Sequence, residues 1–258
     1  MLTDIEGIPE IFNISEIDRS SDDYIFAREK LTDIINFVTS CCKQNGAEKI
    51  YFLDGHAGGG NVIDEKITSD AEKITIPQWE ELAKQGKIDC VLEIGSHARA
   101  GTTGGFLDHT LNSSKIFEHK INGKAQSELS IHALFCGIFN IPTVLCCSDD
   151  AACEQAKQYI PDIITAPVKT AHKRNECKGY ENPKEIIEKA VAKALCNYKS
   201  IKPLKADEKI TVSTTFYRTD MCEDALEKAK FPCIRIDART LERTLMKSEI
   251  YSYYQLVF

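Results

Sequence analysis

The stretch "IDCVLEIGSHARAGTTGGFLDHT", Ile88–Thr110, decides how the chain is read. Its first eight residues form a short, nearly continuous apolar run, the pattern of a strand buried on both faces. The remaining fifteen are too rich in glycine for a helix, since each glycine forfeits about 1 kcal/mol of helix propensity relative to alanine. Two of the chain's six histidines, His97 and His109, fall on this segment just past the strand end. Loops at strand ends are where a rigid scaffold displays reactive side chains.

The same rhythm extends in both directions. "EKIYFLD" leads into "GHAGGGN", "PTVLCCSDD" is a further strand, and "DIITAPVK" another. Helical patterns separate them. "SSDDYIFAREKLTDIINFVTSCCKQNG" opens on Ser and Asp and stops at Gly46, as a capped helix does. "PQWEELAKQG", "ELSIHALFCGIFN", "DAACEQAKQYI" and "NPKEIIEKAVAKALCNYK" read likewise, and Asn122-Gly123 marks a turn. Strands alternating with helices predict an α/β fold, a three-layer α/β/α arrangement around a largely parallel sheet. The expected division is a metal-binding catalytic domain over 1–206 and a smaller C-terminal α+β unit over 207–258 suited to oligomer contacts. In that unit "ITVSTTF" and "CIRIDA" read as strands, "EDALEKAK" as a helix, and the stretch from Thr240 as a final helix.

The 258 residues carry a net charge of −7, and an acidic surface repels phosphate backbones, so nucleic acid is not an expected partner. The start "MLTDIEGIPEIFN" lacks a basic region followed by an apolar core, and no apolar run is long enough to span a bilayer. A cytoplasmic protein without membrane contact is expected. The eleven cysteines include no C-x-x-C pair, so they are read as small core hydrophobes rather than as a disulfide framework.

Ligands in open α/β sheets bind beyond the carboxyl ends of the strands, and here those ends carry carboxylates and imidazoles. Asp4 and Glu6 stand in "TDIEG", Asp54 and His56 in "LDGH", His97 in "GSHARA", and Asp149 and Asp150 in "CSDD". Glu128 opens a helix after the loop bearing His109. An Asp and a Glu two apart point to one side of an extended chain. Two imidazoles with three carboxylates suit zinc, as one ion or as two bridged by a carboxylate and a water. "GHAGGGN" matches no phosphate-binding glycine pattern.

The ordered set "DIEG", "LDGH", "GSHARA", "DHT", "NGKAQSE" and "SDD…APVK" resembles the bacterial zinc-dependent D-aminopeptidases of the DppA type, from dipeptide-transport operons. The resemblance runs from Asp4 to about residue 200. It implies two zinc ions per subunit on Asp4, Glu6, His56, His97 and Glu128, with His109 as the catalytic histidine, nucleophile or acid/base. It also implies a ring-like homo-oligomer that admits small peptide substrates. Two features depart from the family. Only Met1, Leu2 and Thr3 precede Asp4, a poor strand that would fix Asp4 and Glu6 loosely. "SELSIHA" puts Ser127 and Ser130 where the family has glycine, and His132 where it has asparagine.

Other polar residues have two readings each. Asp54 either orients His56, as histidine ligands require, or caps the following turn. Arg99 either binds a substrate carboxylate or makes a structural or subunit contact, and Lys169 is equally ambiguous. His132 lies four residues from Glu128, on the same helix face, turned either to the metal cluster or to a pocket or core. Asp149 and Asp150 are read as helix caps, His119 and His172 as surface histidines. The expected activity is zinc-dependent removal of an N-terminal D-amino acid by metal-activated water. The alternatives are a metal-dependent amidohydrolase for another small amide and a catalytically silent metal- or peptide-binding paralogue.

Overall fold

The first three residues lie at the middle of the main sheet. In the computed structural model, which describes Met1–Phe258, β1 (Leu2–Thr3) pairs in parallel with β2 (Ile50–Asp54) on one side and β4 (Val91–Ile94) on the other. β3 (Ala71–Lys73) flanks β2. Beyond β4 come β7 (Thr143–Asp149), β8 (Ile164–Lys173) and the antiparallel edge β9 (Glu176–Gly179), giving a seven-stranded, mostly parallel sheet. The expectation of loosely fixed residues at 4 and 6 is therefore corrected. Two neighbours share the burden that strand length would otherwise carry. The ladder also runs on past Thr3, with Asp4 N donating to Ile94 O at 2.8 Å and Gly7 N to Gly95 O at 2.7 Å.

Helices cover both faces, as the alternating pattern predicts. α1 (Asp23–Gln44) and α5 (Pro183–Asn197) pack Leu31, Ile35, Val38, Ile187 and Val191 into one core with Phe52 and Ile94. α4 (Asp150–Tyr159) adds Cys153 and Ala156. The opposite face holds α2 (Ile76–Lys84) and α3 (Glu128–Ile138), with Trp79, Ile131 and Phe135 against Leu2 and Leu53. Eight of the eleven cysteines are buried and all are free thiols. No helix is long and apolar enough to cross a membrane.

A second, antiparallel sheet lies on the α2–α3 side, and its composition departs from the expected division at residue 206. β12 (Thr240–Met246) pairs with β10 (Lys209–Phe216) on one side and with the short β11 (Ile234–Arg235) on the other, while α6 (Thr219–Glu227) packs beside β10 and β12. The sheet also contains β5 (Ile116–Ile121) and β6 (Lys124–Ala125) from the first part of the chain. Ile121, Ile210, Val212 and Leu256 share one core with Leu2 and Trp79. The helix expected from Thr240 is a strand. Leu241 and Arg243 turn inward between more exposed Glu242 and Thr244, and cross-strand pairing overrides the helical propensity of Leu, Glu and Arg.

The strand alternation of β5 also moves His119 inside, at 1% exposure, against its reading as a surface residue. Its Nδ1 lies 2.7 Å from Thr214 Oγ1, and burial lowers its pKa to about 4.

Candidate metal centre

Three adjacent parallel strands end together, and each delivers one group. Asp4 follows β1, His56 lies two residues beyond β2, and His97 three beyond β4. Two glycines let the backbones approach. At Gly95, with φ +84°, a Cβ would collide with Asp4 O, and at Gly7 one would collide with Ser96 O. Glu128 is the first residue of α3, whose N-cap Ser127 accepts from Ser130 N. A carboxylate there faces the positive end of the helix dipole.

The side chains converge. His56 Nδ1 lies 3.1 Å from Asp4 Oδ1 and 3.0 Å from the Glu6 carboxylate. His97 Nε2 lies 3.5 Å from Asp4 Oδ2 and 3.2 Å from Glu128 Oε1. Asp4 thus offers one oxygen to each of two histidines. His109 stacks on His97 with ring centroids 3.7 Å apart and planes 10° off parallel, its Nε2 3.8 Å from Glu128 Oε1. Three overlapping groups could each hold a cation, namely Asp4–Glu6–His56, Asp4–His97–Glu128 and Glu6–His97–His109.

The protonation balance is that of a site built for positive charge. Burial opposes ionisation of Asp4, yet its hydrogen bond to His56 holds the carboxyl far below its usual range. Burial likewise acts against Glu128, but His97 brings it down to about 2. Burial disfavours charge on His56 and His97 too, and the facing carboxylates nonetheless raise them to about 11 and about 10. The donor set fits zinc in kind. A second observation agrees. His97 Nδ1 lies 3.0 Å from Ala98 O while its Nε2 is fully buried without a hydrogen-bond partner, the arrangement of a ligating imidazole oriented through its other nitrogen.

The surrounding loops are tied by groups whose roles the sequence left open. Asp54 accepts Asn61 N at 2.8 Å and Asn61 Nδ2 at 2.7 Å. It closes the "GHAGGGN" loop, where Asn61 also reaches His56 O at 2.6 Å. The reading of Asp54 as the acceptor that orients His56 is corrected, because no ring nitrogen faces it. Asp149 caps α4 through Ala152 N and also accepts Phe106 N at 3.0 Å. Asp150 accepts from Tyr180 Oη. Lys169 is fully buried and donates to the carbonyls of Glu6, Ile8 and Ile11, and burial lowers it to about 8. It pins the segment that carries Asp4 and Glu6.

Arg99 does not line the cleft above the cluster. Its loop folds back, with His109 N donating to Ala98 O and Arg99 N to Gln155 Oε1, so of its open readings the structural contact describes its place in the subunit. The arginine on the cleft rim is Arg174, whose Nε lies 3.1 Å from Asp108 Oδ1.

The cleft encloses about 600 Å3. Its inner end is formed by residues that the motifs did not mark, Trp79, Glu93 and Tyr253, together with His132. His132 Nδ1 faces Glu93 Oε1 at 3.1 Å, so of its open readings the pocket one describes its place. The lone charge in "VLEI" was the available signal for Glu93. Trp79 and Tyr253 carried none.

This strand-end cluster within an α/β fold defines a class. The chain matches the D-aminopeptidase family over residues 1–256 and belongs to it, a family of enzymes that hydrolyse peptide bonds. It is 27% identical over 224 residues to the D-aminopeptidase of Bacillus subtilis strain 168, covering 84% of this chain and 80% of that one. The solved structure of the Zn-dependent D-aminopeptidase DppA from Bacillus subtilis, described as a self-compartmentalizing protease, matches its fold. The TM-score is 0.88 at 24% identity, over 99% of this chain and 95% of that one.

Proposed function

We propose that the protein is a cytoplasmic, zinc-dependent aminopeptidase that removes an N-terminal D-amino acid from short peptides. Asp4, Glu6, His56, His97 and Glu128 would hold two zinc ions. The observation that carries this reading is the division of the Asp4 carboxylate between His56 and His97. Bound zinc supplies Lewis acidity to the scissile carbonyl and to a water molecule.

The chain's own residues do the rest. His109 Nδ1 lies 2.9 Å from Leu107 O, so its proton belongs on that nitrogen, and Nε2 is left facing the cluster as a base. There it takes a proton from water and returns it to the leaving amine. Stacking on His97 and the Asp149 tie at Phe106 keep the ring and its loop in place. A cleft of about 600 Å3 is of a size for a short peptide. Self-association into a ring-like homo-oligomer is part of the proposal, supported by the self-compartmentalizing relative.

The test is hydrolysis of D-Ala-D-Ala and of its L,L enantiomer by zinc-loaded protein, with bound zinc counted in parallel. Cleavage of the D,D form alone is expected. His109→Ala should lose about 10²–10⁴-fold in kcat and keep its zinc. Zinc binding without cleavage of either peptide overturns the reading in favour of another small amide or a binding role.

A further inference from the structure

Glu93 is 1% exposed in the centre of the main sheet. Strand register sets it beside Leu2, which in turn pairs with Leu53, so the three occupy one cross-strand row. A carboxylate in an apolar row persists only if it is paired. Its partners are Ser96 Oγ at 2.8 Å and His132 Nδ1 at 3.1 Å. The pairing turns Nδ1 inward, and Nε2 makes no hydrogen bond on a side chain that remains 18% exposed and lines the cleft.

The ring is fixed in this pose. Trp79 meets it edge-on, with centroids 5.8 Å apart and planes at 88°, and Tyr253 lies 5.3 Å away. Tyr253 is held in turn by Glu80, which accepts Tyr253 N at 2.7 Å and Ser252 Oγ at 2.8 Å. The result is an aromatic pocket in which the ring nitrogen Nε2 of His132 makes no hydrogen bond, with Trp79 Nε1 also unpaired in its wall.

The pocket adjoins the metal cluster within the same cleft. His132 stands one helical turn beyond Glu128, a rise of about 6 Å and so about the reach of one side chain. The other end of the cleft opens at Arg174, whose side chain is 45% exposed.

We propose that the pocket formed by Trp79, Tyr253 and the Glu93–His132 pair receives the side chain of the substrate's first residue and selects one bearing a hydroxyl or carboxamide over its aliphatic isostere. Both groups donate and accept, so either satisfies Nε2 whether or not it carries a proton. An aliphatic side chain of the same shape displaces water from Nε2 and leaves it unpaired. The inference rests on the D-aminopeptidase reading above.

The experiment measures kcat/KM of zinc-loaded enzyme for D-Thr-D-Ala against D-Val-D-Ala, and for D-Asn-D-Ala against D-Leu-D-Ala. The wild type should favour the polar member of each pair by about tenfold or more. The double variant E93Q/H132L, which avoids stranding a buried charge, should lose or invert both ratios while binding zinc as the wild type does. His132→Gln keeps a polar partner for Glu93 and should retain part of the preference, and it serves if the double variant does not fold. Wild-type ratios near one, or ratios unchanged in the variants, overturn the proposal. A uniform fall across all four peptides also overturns it, because a merely structural pair would act that way. If wild-type enzyme cleaves none of the four, nor D-Ala-D-Ala, it is the aminopeptidase reading that fails.

Discussion

The two ends of the cleft solve opposite electrostatic problems. At the metal end, three carboxylates and three imidazoles crowd together, donor groups of the kind that hold a cation. At the pocket end, a single carboxylate is buried among apolar side chains and is neutralised by one histidine. The first arrangement leaves donor atoms unsatisfied on purpose, His97 Nε2 above all. The second pairs its carboxylate internally and leaves His132 Nε2 without a hydrogen bond at the cavity. Reaction chemistry and substrate selection are therefore separable, although less than two helical turns divide them.

The sharpest way to break this comparison is at the residue shared between the two candidate ion positions. Asp4→Ala should abolish turnover and lower bound zinc by more than His56→Ala does, as counted by metal analysis of purified protein. Equal losses from the two variants would deny Asp4 a bridging place.

A smaller effect is expected from the support beneath the metal end. Lys169→Met removes the donor to three buried carbonyls, at a cost of about 3 kcal/mol or more, read by denaturant unfolding. Zinc affinity should fall with it, because the Asp4–Glu6 segment loses its anchor. A stability loss with unchanged zinc affinity would confine Lys169 to the core.

The smallest effect lies behind the pocket, at His119. Its folded pKa of about 4 is below the unfolded value, so the unfolded chain binds the extra proton between about pH 6.5 and 4. Stability should therefore fall as the pH is lowered from about 6.5 to 4, by at most about 3 kcal/mol for this one group. His119→Gln should flatten that limb in urea midpoints taken from pH 7 to 4. A slope unchanged by the substitution assigns the acid sensitivity elsewhere.

The metal end was readable in part, because His56 and His97 follow strands that announce themselves and the family resemblance supplied Asp4 and Glu6, whose two-residue strand does not. His56 and His97 each lie within a few residues of an apolar run, and parallel strands end side by side. The pocket end was not readable, because its walls come from β4, α2, α3 and the last residues of the chain. Local spacing says nothing of such meetings. The same limit explains Asp54, whose choice between His56 and Asn61 depends on how a glycine-rich loop closes. It explains Arg99 as well, since the loop's fold-back carries it toward α4. His119 was misread for a related reason, since β5 pairs with a strand about a hundred residues further on, and the strand at Thr240 owes its form to cross-strand pairing with β10 and β11.

By itself the sequence determined the class of fold and the kind of chemistry, for hydrophobic periodicity sets the elements and the elements set which side chains stand at their ends. Only the tertiary structure decided that two residues suffice for a central strand, that Glu93 faces His132, and that Tyr253 closes the cleft. Those outcomes depend on pairing and packing between distant segments, whose free energies no single stretch of sequence contains.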